Sequence, residues 1–334
     1  MERISNSGDQ RRAGLLLINL GTPEATGYWP VRRYLREFLS DRRVIETNPV
    51  LWWFILNGII LTIRPRRSGH AYAKIWNREQ DESPLKTITR MQAAKLGTEL
   101  PHVKIDWAMR YGLPPIAERL QALKDQECDR ILLFPLYPQY SASTTASVLD
   151  KSYEALGRMR WQPAIRTVPP YYDHPAYIEA IALIVESSIA SLSWSPDLIL
   201  ASFHGLPESY VAAGDPYRTH CEETVGLLRR RMKLGEEKLA LVFQSRFGRA
   251  EWLKPYAAET VAAAPTRGVR NLVLVMPGFA SDCVETLEEV AIGLRETFLA
   301  NGGENFATVP CLNDSPDSIA MLARIARNEL QGWI

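Results

Sequence analysis

Two short segments hold the residues whose types and spacing could do chemistry: Ser202-Phe203-His204-Gly205-Leu206-Pro207 and Ser281-Asp282-Cys283-Val284-Glu285-Thr286-Leu287-Glu288-Glu289. Each follows closely on an apolar run rich in leucine or β-branched residues, so each marks the end of a strand. In an open parallel sheet the crevice lies outside the carboxyl ends of the strands. If both runs belong to one sheet, His204 and Glu285 face the same cavity. A neutral imidazole opposite a carboxylate takes up protons or holds a divalent metal.

Each motif also has a plainer reading. A lone histidine is more often structural, but His204 is one of only five in the chain, and Gly205 beside it leaves room for a group to approach the ring. Asp282, Glu285, Glu288 and Glu289 open a helix, where acidic residues complement the dipole and Ser281 or Asp282 would serve as N-cap. On an α-helix residues 282, 285 and 289 share a face that also carries Ile292 and Gly293, so the carboxylates are expected to line an interior. Stacked carboxylates repel, which raises some pKa values and suits them to relaying protons or handing on a hard divalent cation. Tyr111, Tyr137, Tyr140, Phe247, Trp252 and Phe279 lie near the same strand ends. Singly each reads as packing; together they would suit a flat apolar slot for a large planar ligand.

The elements that must position these groups follow from periodicity. Strands are expected over 14–19, 103–108, 130–135, 164–168, 198–203, 239–243, 271–276 and 306–310, and helices over 116–124, 176–191, 221–232, 284–300 and 315–330. Such alternation argues for parallel sheets in an α/β fold. The chain also repeats itself: LLLINLGTP answers LILASFHGLP, WAMRYG answers VFQSRFG, and LLFPLYPQYSASTTASV answers LVLVMPGFASDCVETLEE. Matches in the same order imply two similar domains with the main cleft between them. The interval between the first two matches is much longer in the first half, too long for an ordinary connection, and reads as a lip inserted over the cleft.

Inside that insertion lies PVLWWFILNGIILTI, residues 49–63, followed by Arg64, Arg66 and Arg67. It is short of the roughly 20 residues needed to cross a hydrocarbon core. Tryptophans at one end and arginines at the other suit a helix lying on a membrane surface or lining the mouth of a greasy pocket; a buried core helix is the plain alternative.

Composition excludes several classes. With 334 residues, 46% hydrophobic and 23% charged, the chain reads as a globular protein with material for two cores of roughly 150 residues each. A net charge of +1 gives no footprint for nucleic acid, and the run Arg229-Arg230-Arg231-Met232-Lys233 suits a solvated helix end. Four cysteines without a C-x-x-C pair offer neither a zinc ribbon nor a conventional iron–sulfur spacing, and together with the lack of a secretory signal they point to the cytoplasm. Neither G-x-G-x-x-G nor a Walker-type phosphate loop occurs, so a Rossmann-like fold here need not bind a nucleotide. The first dozen residues read as a loose start.

Taken together, LLLINLGTP, AMRYG, LFPLYPQYSASTT, SFHGLP, FQSRFG-x-x-x-WL and PGF-x-SD-x-x-ETLEE resemble the ferrochelatases of bacteria, from Gly14 to Ile334. The resemblance implies an α/β, chelatase-like fold of two similar Rossmann-like domains, each a four-stranded parallel sheet flanked by helices. The expected division is 13–172, with a lip over about 45–90 and a C-terminal helix 313–334 packing back on this domain, and 173–312. It implies a lyase of haem biosynthesis that inserts Fe2+ into protoporphyrin IX, releasing two protons. Carried over residue by residue, His204 and Glu285 hold iron and remove pyrrole protons, with Glu289 and Asp282 on an acidic path toward solvent. Leu20, Tyr72, Ser83, Arg110, Tyr111, Trp252 and Phe279 would contact the porphyrin.

The chain departs from the family pattern in three places. Some members carry an iron–sulfur cluster held by a C-terminal cysteine group and a cysteine in the YS-x-STT motif; here Ala142 stands there and the chain ends Gly332-Trp333-Ile334, so no such cofactor is expected. Cys283 replaces a second histidine found in several members. Leu20 stands where coproporphyrin-using relatives tend to have tyrosine, which favours protoporphyrin. Coproporphyrin III with iron, sirohydrochlorin with cobalt, and a non-catalytic tetrapyrrole carrier are the competing readings. Peripheral contact with the inner face of the cell membrane through 49–67 is a further expectation, and the oligomeric state is left open.

Overall fold

The computed structural model describes residues 12–248 and 250–334, so the loose start expected of the first dozen residues lies, Arg12 aside, outside the described residues. Every expected strand is present: β1 (Arg12–Gly21), β2 (Val103–Tyr111), β3 (Cys128–Pro135), β4 (Ala164–Thr167), β5 (Leu198–His204), β6 (Leu239–Gln244), β7 (Asn271–Val275) and β8 (Asn305–Thr308). They form two four-stranded sheets of the same order, β2-β1-β3-β4 and β6-β5-β7-β8. All pairings are parallel.

The strand sequences explain this arrangement. Leu15, Leu16, Leu17 and Ile18 of β1 are all fully buried, as a strand covered by helices on both faces must be. Leu15 and Leu17 join Phe134, Phe203 and Val273 in one core that runs from sheet to sheet, with the helices Pro175–Ala190 and Pro316–Glu329 packed into it. Leu16 and Ile18 face a second cluster, and Leu200, Leu272 and Val290 a third, on the outer sides of the two sheets. The helix Pro316–Glu329 lies against the helices Pro84–Glu99 and Pro175–Ala190.

In each sheet the strand order reverses beside the first strand, between β1 and β3 and again between β5 and β7. That reversal opens a crevice at the carboxyl ends of the strands. In the second sheet it falls between His204, the last residue of β5, and the segment that follows β7. Gly21 ends β1 with φ +114°, where a Cβ would lie 1.8 Å from the Tyr111 carbonyl oxygen, so only glycine allows the two strand ends to close up.

Two elements differ from expectation. The helix expected over 284–300 is π-helical from Glu285 to Leu294 and α-helical only from Arg295 to Ala300. Its i→i+5 bonding turns Thr286, Val290 and Leu294 inward rather than Ile292 and Gly293, because a period of 3.6 misplaces every residue beyond the first turn. A shorter π turn, Ala142–Ala146, stands at the corresponding place after β3.

The segment 49–63 is not a core helix. It runs as Pro49–Ile55, a π turn Leu56–Ile60 and the start of Leu61–Ile75. Leu56 and Leu61 pack inward with Val31, Tyr34, Leu35 and Leu39 of the helix Tyr28–Leu39, whereas Val50, Leu51, Trp53, Phe54, Ile59 and Ile63 are exposed. Among the described residues no helix is long and apolar enough to cross a membrane.

Candidate active site

His204 is delivered by β5 and paired in register with Gln244 of β6. Its Nδ1 lies 2.7 Å from the Gly205 carbonyl oxygen. A carbonyl can only accept, so the neutral ring carries its proton on Nδ1 and keeps the Nε2 lone pair free. The side chain is exposed at the cleft. Gly205 does not leave room for a ligand, contrary to expectation: a Cβ there would meet the Gln244 carbonyl oxygen at 2.8 Å and Trp252 Cε3 at 3.0 Å. The glycine instead lets β6 and Trp252 close in, which sets the half-buried indole 6.4 Å, centroid to centroid, from the imidazole.

Opposite stands the π-helical segment. Glu289 accepts from the Ser245 N–H at 2.8 Å and from the Ser245 hydroxyl at 2.5 Å. Burial raises the pKa of this carboxyl above the ordinary range, opposed by the Ser245 hydrogen bonds and by His204, and reinforced by Glu285. Glu289 is thus within electrostatic reach of both the imidazole and the second carboxylate.

Glu285 lines a narrow cavity with Leu20, Gly21, Thr22, Tyr34, Tyr72, Ile75, Ser83, Pro84, Leu85, Cys283 and Val284. Sequence reasoning anticipated Leu20, Tyr72, Ser83 and Glu285, and the fold brings these four together from three separate stretches of chain. Burial, helped by the negative field of Glu285, pushes the Tyr34, Tyr72 and Cys283 groups well above their usual pKa values, so they stay protonated. Ser83 also caps the helix Pro84–Glu99, accepting from the Lys86 N–H at 3.4 Å. Half-buried Arg64 stacks 4.7 Å over Phe247 across the cleft mouth, its pKa lowered by burial and by Arg67 and raised by Glu285.

Other expected site residues are placed elsewhere. Asp282 does not stand in the acidic column: its carboxylate accepts from the Thr286 hydroxyl at 2.8 Å and the Asn313 amide at 2.7 Å, tying the π segment to the loop after β8. Phe279, half-buried, packs on the outer core of the second sheet. Tyr111 is fully buried beneath Phe38, 5.1 Å away edge-to-face, and so offers no wall to a ligand in this structure. Arg110 beside it forms an ion pair with Asp41 at 2.5 Å. With Tyr111 inside the core and the Tyr137 hydroxyl buried, the aromatic side chains of the cavity are Tyr34 and Tyr72 instead of the expected set.

Sequence reasoning missed Tyr34, Thr22, Gln244, Ser245 and Asp41. Gln244 and Ser245 lie in the repeated VFQSRFG motif, whose recurrence is the one signal in the sequence that points to them. Nothing in sequence pairs Asp41 with residues so far along the chain. Among the described residues no three His, Cys, Asp or Glu side chains form a ready-made metal cage.

Asp41 generates a prediction. Its carboxylate takes hydrogen bonds from Tyr111 at 2.7 Å and Ser147 at 2.5 Å besides Arg110, and these overcome the upward push of burial to leave its pKa lowered. Asp41→Ala strands the Arg110 charge and should cost about 3–5 kcal/mol in denaturant unfolding. Because the folded pKa is depressed, this stabilisation is complete above the ordinary carboxylate range and disappears as pH falls through the lowered value. The variant should lack that part of the acid dependence.

A sequence model of the ferrochelatase family matches residues 12–330. The ferrochelatase of Agrobacterium fabrum is 54% identical over 326 residues, covering 97% of this chain and 95% of that protein. That of Rhizobium meliloti is 54% identical, covering 97% and 96%, and that of Methylocella silvestris 52% over 332 residues, covering 97% and 95%. Among solved structures, SirB from Bacillus subtilis with Fe3+ superposes with a TM-score of 0.58 at 10% identity over 95% of each chain. CbiX, the terminal enzyme for biosynthesis of sirohaem in denitrifying bacteria, gives 0.53 at 14%, over 94% and 98%. Identities this low speak to the fold alone, and they place the paired parallel sheets in the chelatase architecture. Over nearly its whole length, this chain belongs to the ferrochelatase family.

Proposed function

We propose that the protein inserts Fe2+ into protoporphyrin IX to form protohaem with release of two protons, with His204, Glu285 and Glu289 as its reacting side chains. The observation that carries the assignment of residues is that Gln244, paired in register with His204, donates to the Glu285 carbonyl at 3.1 Å and faces Glu289 at 3.5 Å, which gathers one imidazole and two carboxylates at one end of the sheet. A planar porphyrin must lose two pyrrole protons as iron enters. His204 has a single free lone pair, on Nε2, so it meets iron with Glu285 on approach or takes the pyrrole protons one at a time as iron enters, passing each on before the next, and Glu289 carries them outward. A narrow wall to which Leu20 and the ring of Tyr72 give apolar surface, with the Ser83 hydroxyl beside them, would bind a bent macrocycle better than a flat one, which is binding directed at the transition state. Leu20 suits a vinyl edge better than the additional propionates of coproporphyrin III.

The test is an anaerobic absorbance assay with protoporphyrin and Fe2+ or Zn2+. His204→Ala and Glu285→Gln should each lower kcat by about 10²- to 10⁴-fold with porphyrin binding retained. Near-normal turnover in either variant removes that residue from the mechanism. No turnover in the native protein would leave a carrier, and preference for sirohydrochlorin with cobalt would indicate the related chelatase.

The lip is the surface for peripheral membrane contact. Val50, Leu51, Trp53, Phe54, Ile59 and Ile63 expose apolar side chains along residues 50–63, and Arg66 and Arg67, both exposed, follow with positive charge suited to anionic phospholipid. Trp53→Ser/Phe54→Ser should abolish co-sedimentation with anionic vesicles while leaving the thermal midpoint unchanged.

The enzyme works without a resident iron–sulfur cluster, in the reducing cytoplasm. The four cysteines, Cys128, Cys221, Cys283 and Cys311, are all free thiols and all buried. Protein purified anaerobically should show no visible absorption from such a cluster.

A further inference from the structure

We infer that Ser245 is a positioning residue for the reaction, acting with Gln244 to fix the Glu289 carboxylate between His204 and Glu285. The inference rests on the reading of those three side chains given above. Ser245 has φ +67°, in the left-handed region that serine seldom adopts. Glycine or asparagine would sit there with less strain, so the strain is retained for something serine supplies. What it supplies is a two-point grip: its N–H meets one oxygen of Glu289 at 2.8 Å and its hydroxyl the other at 2.5 Å. A left-handed residue directly after a strand turns both donors toward the facing helix.

Gln244 indexes the rest of the centre to the same point. Its Oε1 accepts from the buried Ser202 hydroxyl at 2.7 Å, which fixes the amide so that Nε2 faces the π segment, 3.1 Å from the Glu285 carbonyl and 3.5 Å from Glu289 Oε2. Its own carbonyl accepts from the Gly205 N–H at 2.7 Å, next to His204. Two consecutive residues thereby set the relative placement of all three reacting side chains. Without the hydroxyl, a carboxylate repelled by Glu285 keeps the Ser245 N–H on one oxygen and only the long Gln244 contact, 3.5 Å, on the other, and is free to pivot.

Ser245→Gly tests this, because it retains the N–H and relieves the backbone while deleting only the hydroxyl. The expected result is a kcat lowered about 10- to 100-fold, with KM for porphyrin, the Soret shift on porphyrin binding and the thermal midpoint unchanged or, for the midpoint, raised. Ser245→Asn, which tolerates the backbone and restores a donor, should recover part of the lost kcat. A kcat within twofold of native in Ser245→Gly overturns the inference, as does a loss that tracks a fall in thermal midpoint. Glu289→Gln, measured alongside, separates the two levels. If it turns over at the native rate, the reading of Glu289 fails and this inference with it; if it is slow while Ser245→Gly is not, only the inference about Ser245 fails.

Discussion

Two carboxylates a turn apart on one helix repel, and withdrawal from water strengthens that repulsion. Glu285 and Glu289 are held in this relation, and the second sheet is arranged around it. Glu289 is compensated by the Ser245 donors and by the imidazole opposite. Glu285 has no salt bridge among the described residues and looks instead onto groups that keep their protons, Tyr34, Tyr72 and Cys283. The contrast with Asp41 is instructive. Asp41 is saturated by Arg110, Tyr111 and Ser147 and has nothing left for a ligand, whereas a carboxylate meant to meet iron must stay unpaired.

The duplicated topology shows how little of this chemistry belongs to the fold. Both sheets have the same strand order, and both carry a π-helical turn after the third strand in sequence. Counted from the strand registers, in which Leu133 beside Leu16 answers Leu274 beside Leu200, Thr144 and Val148 in the first half answer Glu285 and Glu289 in the second. Leu20 likewise answers His204. The first half therefore presents apolar and hydroxyl groups where the second presents bases and acids. One crevice serves as wall and the other as reaction centre, by side-chain choice on a common frame.

Much of the frame was legible because doubly covered parallel strands must be apolar on both faces, and runs such as Leu15–Ile18 have no other good explanation. His204 was legible from its place at a strand end. The π segment was not, since no residue marks i→i+5 bonding, and no helical period can place Asp282, which lies before the helix begins. Nor does sequence declare a serine with positive φ. Sequence places Tyr111 at a strand end but does not show that Phe38, from the helix Tyr28–Leu39, covers it in this structure. The lip itself betrayed its existence by excess length, but which of its apolar residues face outward depended on the bend through Leu56–Ile60.

The narrowness of the cavity has an energetic counterpart in the lip. The cavity beside Glu285 measures only ≈ 10 Å³, against the roughly 300–1,000 Å³ of pockets that hold sizeable ligands, so that recess admits no macrocycle while the lip lies as it does here. Leu56 and Leu61 of the lip share a core with Val31, Tyr34, Leu35 and Leu39 of the helix Tyr28–Leu39 and with Tyr111 of the first sheet, which joins the lip to that half. Its ties to the second half are of another kind. Lys74 meets Glu288 at 2.8 Å with the lysine half exposed, Arg64 stacks on Phe247, and the Tyr210 hydroxyl donates to the Val44 carbonyl and accepts from the Glu46 N–H, both at 3.1 Å. Contacts of these types contribute about 0–1.5 kcal/mol each. Burying one face of a porphyrin opposes the sum of these ties with a hydrophobic gain of the same order, so the lip is held weakly enough for the substrate's own apolar surface to compete with it.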